Sequence, residues 1–514
     1  MKKNTRLLLV IIFIVVLLGV GLTVVLLLPS ENDKITTDER NEILLFDKSN
    51  LLAESISVDN SGGTYELLAY EYTKPIVTSS QRLDENVGLI PAVNDDEEED
   101  SPTELIYTMQ EYSDFTLDQN MTNDLAKQAC YMAARELIDK SGRKYAEYGL
   151  DTPKATVRVR YSDASSVIMY LGSEAPDNKG VYLRIEGDRN VYLVQSSLTE
   201  AFFIERLQLF DKHLTGTMEN IHQVRISGSH YQDVISLTAN DSSYYPTTHL
   251  MEQPVSYICD NSQFSLITNS ACSLQAAFVA AVDPTKEDIR RCGLEQPYEQ
   301  FDMTDTDGGS IHLIASEKDN ENCFYLMKPG DRLIFRTYAV DNKWYDVKMT
   351  DFWPDTVMNV NTEEIRDLNL NVNGSSVTYH LEKEKGMSED YHEGATLTLT
   401  ADGEMVNYSN YSAFVNNLTN IKRQSLETGD FEKNQEILRA EFSYFYVQGI
   451  TDTLHLYRQK SGKTVAVLND KIICFVDSDY VDQVVQQVSL LRNSNVLIPL
   501  INEGGSVSDT SKVS

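Results

Sequence analysis

Tyr148-Gly149-Leu150-Asp151-Thr152-Pro153 and Cys292-Gly293-Leu294-Glu295-Gln296-Pro297 are one element written twice, 144 residues apart. In each, a Gly-Leu pair with a proline three residues on fits a helix stop ahead of a strand. Glycine accepts the left-handed conformation that closes a helix, and the proline prevents continuation. The turn Asp163-Ala164-Ser165-Ser166 returns as Asp307-Gly308-Gly309-Ser310 at the same offset. Tyr182-Leu183 followed by Gly187-Asp188-Arg189 returns as Tyr325-Leu326 followed by Gly330-Asp331-Arg332, one residue out of step. Three landmarks in register identify an internal repeat, and a repeat decides the architecture before any single element is weighed.

Upstream pieces extend the match. Leu45-Phe46-Asp47-Lys48 and Leu209-Phe210-Asp211-Lys212 each open a segment. Each is followed by an alternating strand, Ile56-Ser57-Val58 or Val224-Arg225-Ile226, and a glycine turn, Ser61-Gly62-Gly63 or Ser227-Gly228-Ser229. A third, more worn copy lacks the Gly-Leu-x-x-Pro element. It begins with alternation over Ile365–Leu370, and Asn373-Gly374 makes a hairpin turn before Val377–Leu381. A meander follows at Phe442–Val447, Leu454–Leu456, Val465–Val467 and Ile472–Phe475, with Asn469-Asp470-Lys471 where Gly-Asp-Arg stands in the other copies.

Each copy also carries apolar residues at helical spacing. In the first they are Leu125, Ala129, Met132, Ala133 and Leu137, with Thr122 or Asn123 as cap and Gly142 as stop. In the second they are Ala271, Leu274, Phe278 and Ala281, after Thr268-Asn269 and ending at Pro284. In the third they are Tyr411, Phe414, Val415 and Leu418. Such a stripe reads as a face packed on a sheet. The predicted fold class is α+β: an N-terminal transmembrane helix, then repeated units of β-hairpin, helix and antiparallel β-meander. The boundaries are 1–29 for a cytoplasmic tip and anchor, 30–203 for unit 1, 204–340 for unit 2, 341–496 for a degenerate unit 3, and 497–514 for a disordered tail. Unit 1 holds an acidic insertion at Asp95–Asp100, whose six consecutive acids repel one another and favour a solvated loop.

The anchor is Leu7–Leu28, an uncharged apolar run long enough as a helix to cross a bilayer. Lys2, Lys3 and Arg6 precede it, whereas Glu31, Asp33 and Asp38 follow, so the positive-inside rule keeps the N-terminus cytoplasmic and exports the rest. A cleaved signal peptide has a shorter apolar core. The expected localisation is therefore the cell membrane, with a bilayer contact through Leu7–Leu28. Net charge is −34, from 44 basic and 78 acidic residues. That sign excludes a nucleic-acid partner, which requires a basic face.

No catalytic, cofactor-binding or metal site is predicted. The eight histidines form neither H-x-H nor H-E-x-x-H, although His222 and His230 flank one predicted hairpin. There is no G-x-S-x-G, no Walker loop and no dinucleotide fingerprint. Gly187-Asp188-Arg189 and Gly330-Asp331-Arg332 read as hairpin turns rather than adhesive tips. Of six cysteines, Cys130, Cys272 and Cys474 lie in apolar patterns that suggest buried free thiols, while Cys259, Cys292 and Cys323 stay open between thiol and disulfide.

From Tyr148 to Val194 the chain resembles the bacterial domain-of-unknown-function 4340 family, through Tyr-Gly-Leu-Asp-x-Pro, Gly-x-Tyr-Leu, Gly-Asp and Val-Tyr-Leu-Val. The resemblance weakens over Cys292–Phe335. It implies an N-terminal membrane helix and an accessory role beside an ABC transporter of the gliding-motility type, with its permease and ATPase subunits as partners. The expected function is thus a non-enzymatic, membrane-anchored extracytoplasmic binding or scaffolding protein. The alternatives are an exported hydrolase of cell-wall polymer or glycan, and a structural spacer.

Overall fold

A computed structural model describes residues 42–73, 103–242, 245–384, 396–426, 431–433, 435–445, 449–492 and 496–501. The apolar run Leu7–Leu28 and the acidic run Asp95–Asp100 lie outside these residues. Among the described residues no helix is long and apolar enough to cross a membrane. The chain divides into two compact units, Met1–Asp211 with one sheet and Lys212–Ser514 with two. The described residues are mostly β: three antiparallel nine-stranded sheets with few helices.

The first sheet contains β1 (Ile43–Asp47), β2 (Ala53–Asn60), β3 (Gly63–Thr73), β4 (Thr103–Met109), β5 (Tyr131–Asp139), β6 (Ala155–Tyr161), β7 (Ser166–Glu174), β8 (Val181–Ile185) and β9 (Val191–Val194). The second contains β10 (Ile221–Ser227), β11 (Ile235–Ala239), β12 (His249–Gln253), β13 (Tyr257–Ile258), β14 (Phe278–Val282), β15 (Glu299–Asp305), β16 (Ser310–Ala315), β17 (Cys323–Met327) and β18 (Leu333–Tyr338). The third contains β19 (Ile365–Val372), β20 (Ser375–Glu384), β21 (Thr396–Ala401), β22 (Glu404–Met405), β23 (Arg423–Ser425), β24 (Glu436–Tyr444), β25 (Thr451–Arg458), β26 (Thr464–Leu468) and β27 (Ile472–Val476).

Across the sheets the strand orders are β4-β3-β2-β6-β7-β8-β9-β5-β1, β13-β12-β11-β10-β15-β16-β17-β18-β14 and β22-β21-β20-β19-β24-β25-β26-β27-β23. One topology is built three times. A three-strand meander leads through a helix to a strand at the far side, then a four-strand meander returns beside the first strand. The sheets differ at one edge: the first adds β1 beyond β5, whereas the others add β13 and β22 at the opposite end. The worn third copy has kept the full strand order.

Among the described residues the α-helices are α1 (Gln119–Cys130), α2 (Asn261–Ala271), α3 (Lys286–Arg291), α4 (Tyr408–Thr419) and α5 (Ser478–Gln487). The stripe in the third copy is a helix as predicted, with Tyr411, Phe414, Val415 and Leu418 all buried. The first two stripes are not single helices. α1 begins at an Asp118 cap rather than at Thr122 or Asn123, and it ends at Cys130. Met132, Ala133 and Leu137 belong to β5, which pairs with β1 and β9. α2 begins after its Asp260 cap and stops at Ala271, whereas Phe278 and Ala281 lie on β14. In both places a helix runs into a strand with no proline between, so one apolar series mimics a longer helix. Cross-strand pairing outweighs that local periodicity. Each unit therefore holds more strands than a hairpin and a meander.

The repeated landmarks fall where the spacing puts them. Gly149 and Gly293 close a short 3-10 helix and α3 in the left-handed region, at φ 68° and 72°. Gly187, Gly330 and the Asn469-Asp470 pair turn the chain between the last two strands of each meander. Asn373-Gly374 joins β19 to β20. Residues 497–501, assigned by composition to a disordered tail, are packed. Ile498 and Ile501 are buried, and the side chains of Asn410 and Asn417 on α4 bind the backbone of Val496, Ile498, Pro499 and Ile501.

Asn417 is buried and fully engaged. Its amide donates to Gln487 Oε1 and the Pro499 carbonyl at 2.9 Å each, and its oxygen accepts from the Ile501 amide at 3.0 Å. Leucine fits the space but leaves those partners unpaired, at a cost of about 1–3 kcal/mol for each stranded group. Asn417→Leu is expected to destabilise the Lys212–Ser514 unit by about 2–4 kcal/mol, read from urea unfolding.

Candidate functional site

The three copies can be superposed in sequence by their strand registers, and two positions then break an apolar rule. Where the first strand meets the fourth-strand partner, inward residues pair as Val58 with Val157, Ile226 with Phe301, and Leu370 with Ala440. One step outward, the buried residue is Ala155 in the first sheet, Leu438 in the third and Glu299 in the second. The next strand gives a second exception. Val167 and Ile311 sit opposite Val159 and Met303, but the equivalent partner of Phe442 is Asp452. Asp452 is 3% exposed and Glu299 is fully buried. Burying a carboxyl costs several kcal/mol, and a well-packed apolar residue often serves the fold as well or better. The sister sheets show that this topology closes without either acid.

Asp452 heads β25, beside the cleft between the second and third sheets. Its Oδ2 accepts from Tyr245 Oη at 2.7 Å and Tyr444 Oη at 2.6 Å, and its Oδ1 accepts from the Asn469 amide at 2.7 Å. Asn469 takes a left-handed conformation at the β26–β27 turn, and its oxygen is fixed in turn by the Thr453 amide. All three donors are neutral, and no Lys, Arg or His among the described residues pairs with this carboxylate. Beside it lies a cavity of about 210 Å³, lined by apolar Leu250, Ile258, Val360, Ile450 and Leu468, by Tyr245 and Tyr257, and by polar Ser256, Asn359, Thr451 and Asn469. Tyr257 is anchored by donating to the Val357 carbonyl at 2.5 Å and packs edge-on against Trp353. The linker Met358–Val360, which joins the two sheets, closes one side.

Glu299 opens β15. Its Oε2 accepts from the Asp346 backbone amide at 2.5 Å. The Tyr231 hydroxyl lies beside the carboxyl, yet neither Tyr231 Oη nor Glu299 Oε1 completes a hydrogen bond of good geometry. Outside it, Asp346 accepts from Tyr298 Oη at 2.8 Å and pairs with Lys318 at 3.2 Å and His230 at 3.4 Å, while His230 stacks on Tyr298. Burial pushes the Glu299 carboxyl up to about 8, against weaker lowering by the Asp346 amide and Tyr231. Burial acts upward on Asp346 too, but hydrogen bonds from Tyr298 and Lys318 with the charges of Lys318 and His230 hold it below its ordinary value.

The remaining residues singled out by sequence are structural. His222 and His230 lie at opposite ends of β10. His249, not His230, is the histidine whose ring feels His222; it is buried, stacked on Phe264 and bonded to the Ile221 carbonyl at 2.9 Å. Asp188 is tied to Tyr192 Oη at 2.6 Å inside its turn, and Arg332 is paired with Asp283. Asp319, Glu321 and Cys323 approach one another as metal ligands do, but the Arg336 guanidinium already binds both carboxylates at 2.7 and 2.6 Å. All six cysteines are free thiols: Cys259, Cys292, Cys323 and Cys474 are buried, while Cys130 and Cys272 are half-buried. Burial raises the Cys259 and Cys474 thiols to about 12.

Residues 108–255 match the family model described as Domain of unknown function (DUF4340). The matched stretch starts in β4, runs through α1 and β5–β9, and ends just past β12, so the DUF4340 match covers about one repeat length out of phase with the sheets. No curated protein and no solved structure matches the chain.

Two outcomes follow. An unfolded glutamate titrates near its ordinary 4.5 and folded Glu299 near 8, so between these values the folded chain holds a proton the unfolded chain releases. Stability conferred by the protonated form is complete below pH 4.5 and is lost as pH rises through 8. Glu299→Gln is expected to raise the melting temperature relative to the natural chain at pH 8.5 and to lose that advantage at pH 4, in thermal unfolding scans. Native Cys259 and Cys474 are expected to resist iodoacetamide at pH 8 and to react fully in guanidinium, read by peptide mass spectrometry.

Proposed function

We propose that the protein is a single-pass, membrane-anchored extracytoplasmic binding protein, oriented with its N-terminus in the cytoplasm, that works as an accessory to an ABC transporter. The observation that carries the binding reading is the Asp452 cavity: a buried carboxylate at a position the sister sheets keep apolar, beside a small pocket of mixed polar and apolar lining between two sheets. Concave sites with few fixed polar groups are what small-molecule recognition uses. The uncharged run Leu7–Leu28 with Lys2, Lys3 and Arg6 before it supports the anchor and its orientation. The DUF4340 match at 108–255 supports the family resemblance from which the transporter association is inferred. Three sheets of one topology supply repeated surfaces for a scaffold.

Cross-linking in native membranes, followed by affinity purification and mass spectrometry, tests the accessory role. Permease and ATPase subunits are expected to be enriched at least tenfold over an unrelated single-pass protein. Their absence at equal bait recovery would contradict it.

A further inference from the structure

We propose that the Asp452 cavity binds a small organic ammonium ion, with the charged nitrogen at the carboxylate and a short hydrocarbon part against the apolar side chains of the mixed lining. This rests on the binding reading above and names its ligand class. Three observations lead to it. The carboxylate replaces the apolar residue found at this position in the other two sheets, so the fold does not require it. It is held by two phenol hydroxyls and one amide, which fix its direction without supplying a positive charge. It has a lone pair to spare, because three donors leave about one of a carboxylate's four acceptor sites open.

The walls decide the rest of the ligand. A bare metal ion needs several oxygen ligands, typically six or more for calcium, and among the described residues Asp452 is the only carboxylate lining this cavity. Leu250, Ile258, Val360, Ile450 and Leu468 contribute apolar side chains that match a short hydrocarbon, while Ser256, Asn359, Thr451 and Asn469 supply neutral polar groups beside the carboxylate. A volume near 210 Å³ lies below the roughly 300–1,000 Å³ of ordinary ligand pockets, so the occupant is small. An anionic ligand is disfavoured by the carboxylate itself, and a neutral one brings no opposite charge to pair with it.

The test is isothermal titration calorimetry of the full chain in nanodiscs, with n-butylammonium chloride, n-butanol and sodium butyrate as probes of one shape and three charges. Saturable binding of n-butylammonium is expected, with neither n-butanol nor butyrate binding. Asp452→Asn should weaken it at least tenfold. Ile450→Trp, a change at a half-exposed residue of the cavity wall, should do the same by filling the space while leaving the carboxylate and its donors in place. If Asp452→Asn fails to fold, the Ile450→Trp arm decides. Absence of n-butylammonium binding by the folded natural chain would overturn the proposal, as would equal binding of n-butanol or undiminished binding by the folded variants. Transporter recovery without amine binding would overturn this inference alone, whereas amine binding without transporter recovery would overturn only the accessory role.

Discussion

Every sheet in this protein depends on one non-local pairing. The first strand of the opening meander must find the first strand of the closing meander, after the chain has made two or three further strands, a helix and a strand at the far side. These pairs are β2 with β6, β10 with β15, and β19 with β24. Their inward side chains, among them Ile56 and Val159, Val224 and Met303, and Leu368 and Phe442, are buried in every copy. Loop closure of this length carries an entropic cost that local contacts do not repay, so apolar burial along these pairs has to offset it. Without them, each unit is two separate meanders with open edges.

That constraint explains which changes the copies tolerate. Edges vary: β1 is added in one sheet, β13 and β22 in the others, and the Gly-Leu-x-x-Pro element is absent from the third. The inward positions along the central pairs stay apolar because they supply the burial. Glu299 and Asp452 stand at the margins of that band, where a polar side chain can reach groups outside the sheet: the Asp346 loop in one case and Tyr245 with Asn469 in the other. The two acids nevertheless differ. Asp452 is answered by three well-placed donors and adjoins open volume, whereas Glu299 has one oxygen unanswered and is pushed toward its neutral form by burial. The first arrangement suits recognition of a charge, and the second couples the fold to protons.

Much of the fold was legible in the chain. The repeated Gly-Leu-x-x-Pro, the Asp-rich turns and the Asn373-Gly374 hairpin fixed the copies and most of their strands, because turns depend on local backbone chemistry. The α1–β5 and α2–β14 junctions were not legible. Ala129, Met132 and Ala133 fit a helical stripe and a buried strand equally well, and only pairing with β1 and β9 decides between them. The site was less legible still. Ala155 and Glu299 lie at the repeat offset of 144 residues, so comparing the copies position by position would have exposed Glu299. Asp452 required the strand registers, since the third copy has lost the landmarks that set the offset.

The central claim is that three central strand pairs hold three copies of one sheet, and hydrogen–deuterium exchange of the intact protein tests it most directly. Amides of Ile56–Val58 and Val157–Val159, Val224–Ile226 and Phe301–Met303, and Leu368–Leu370 and Ala440–Phe442 are predicted to exchange slowest in their sheets. The short edge strands β13, β22 and β23 are predicted to exchange early. Equal protection across centre and edge, or a third copy whose central pair exchanges as fast as its edges, would contradict the account.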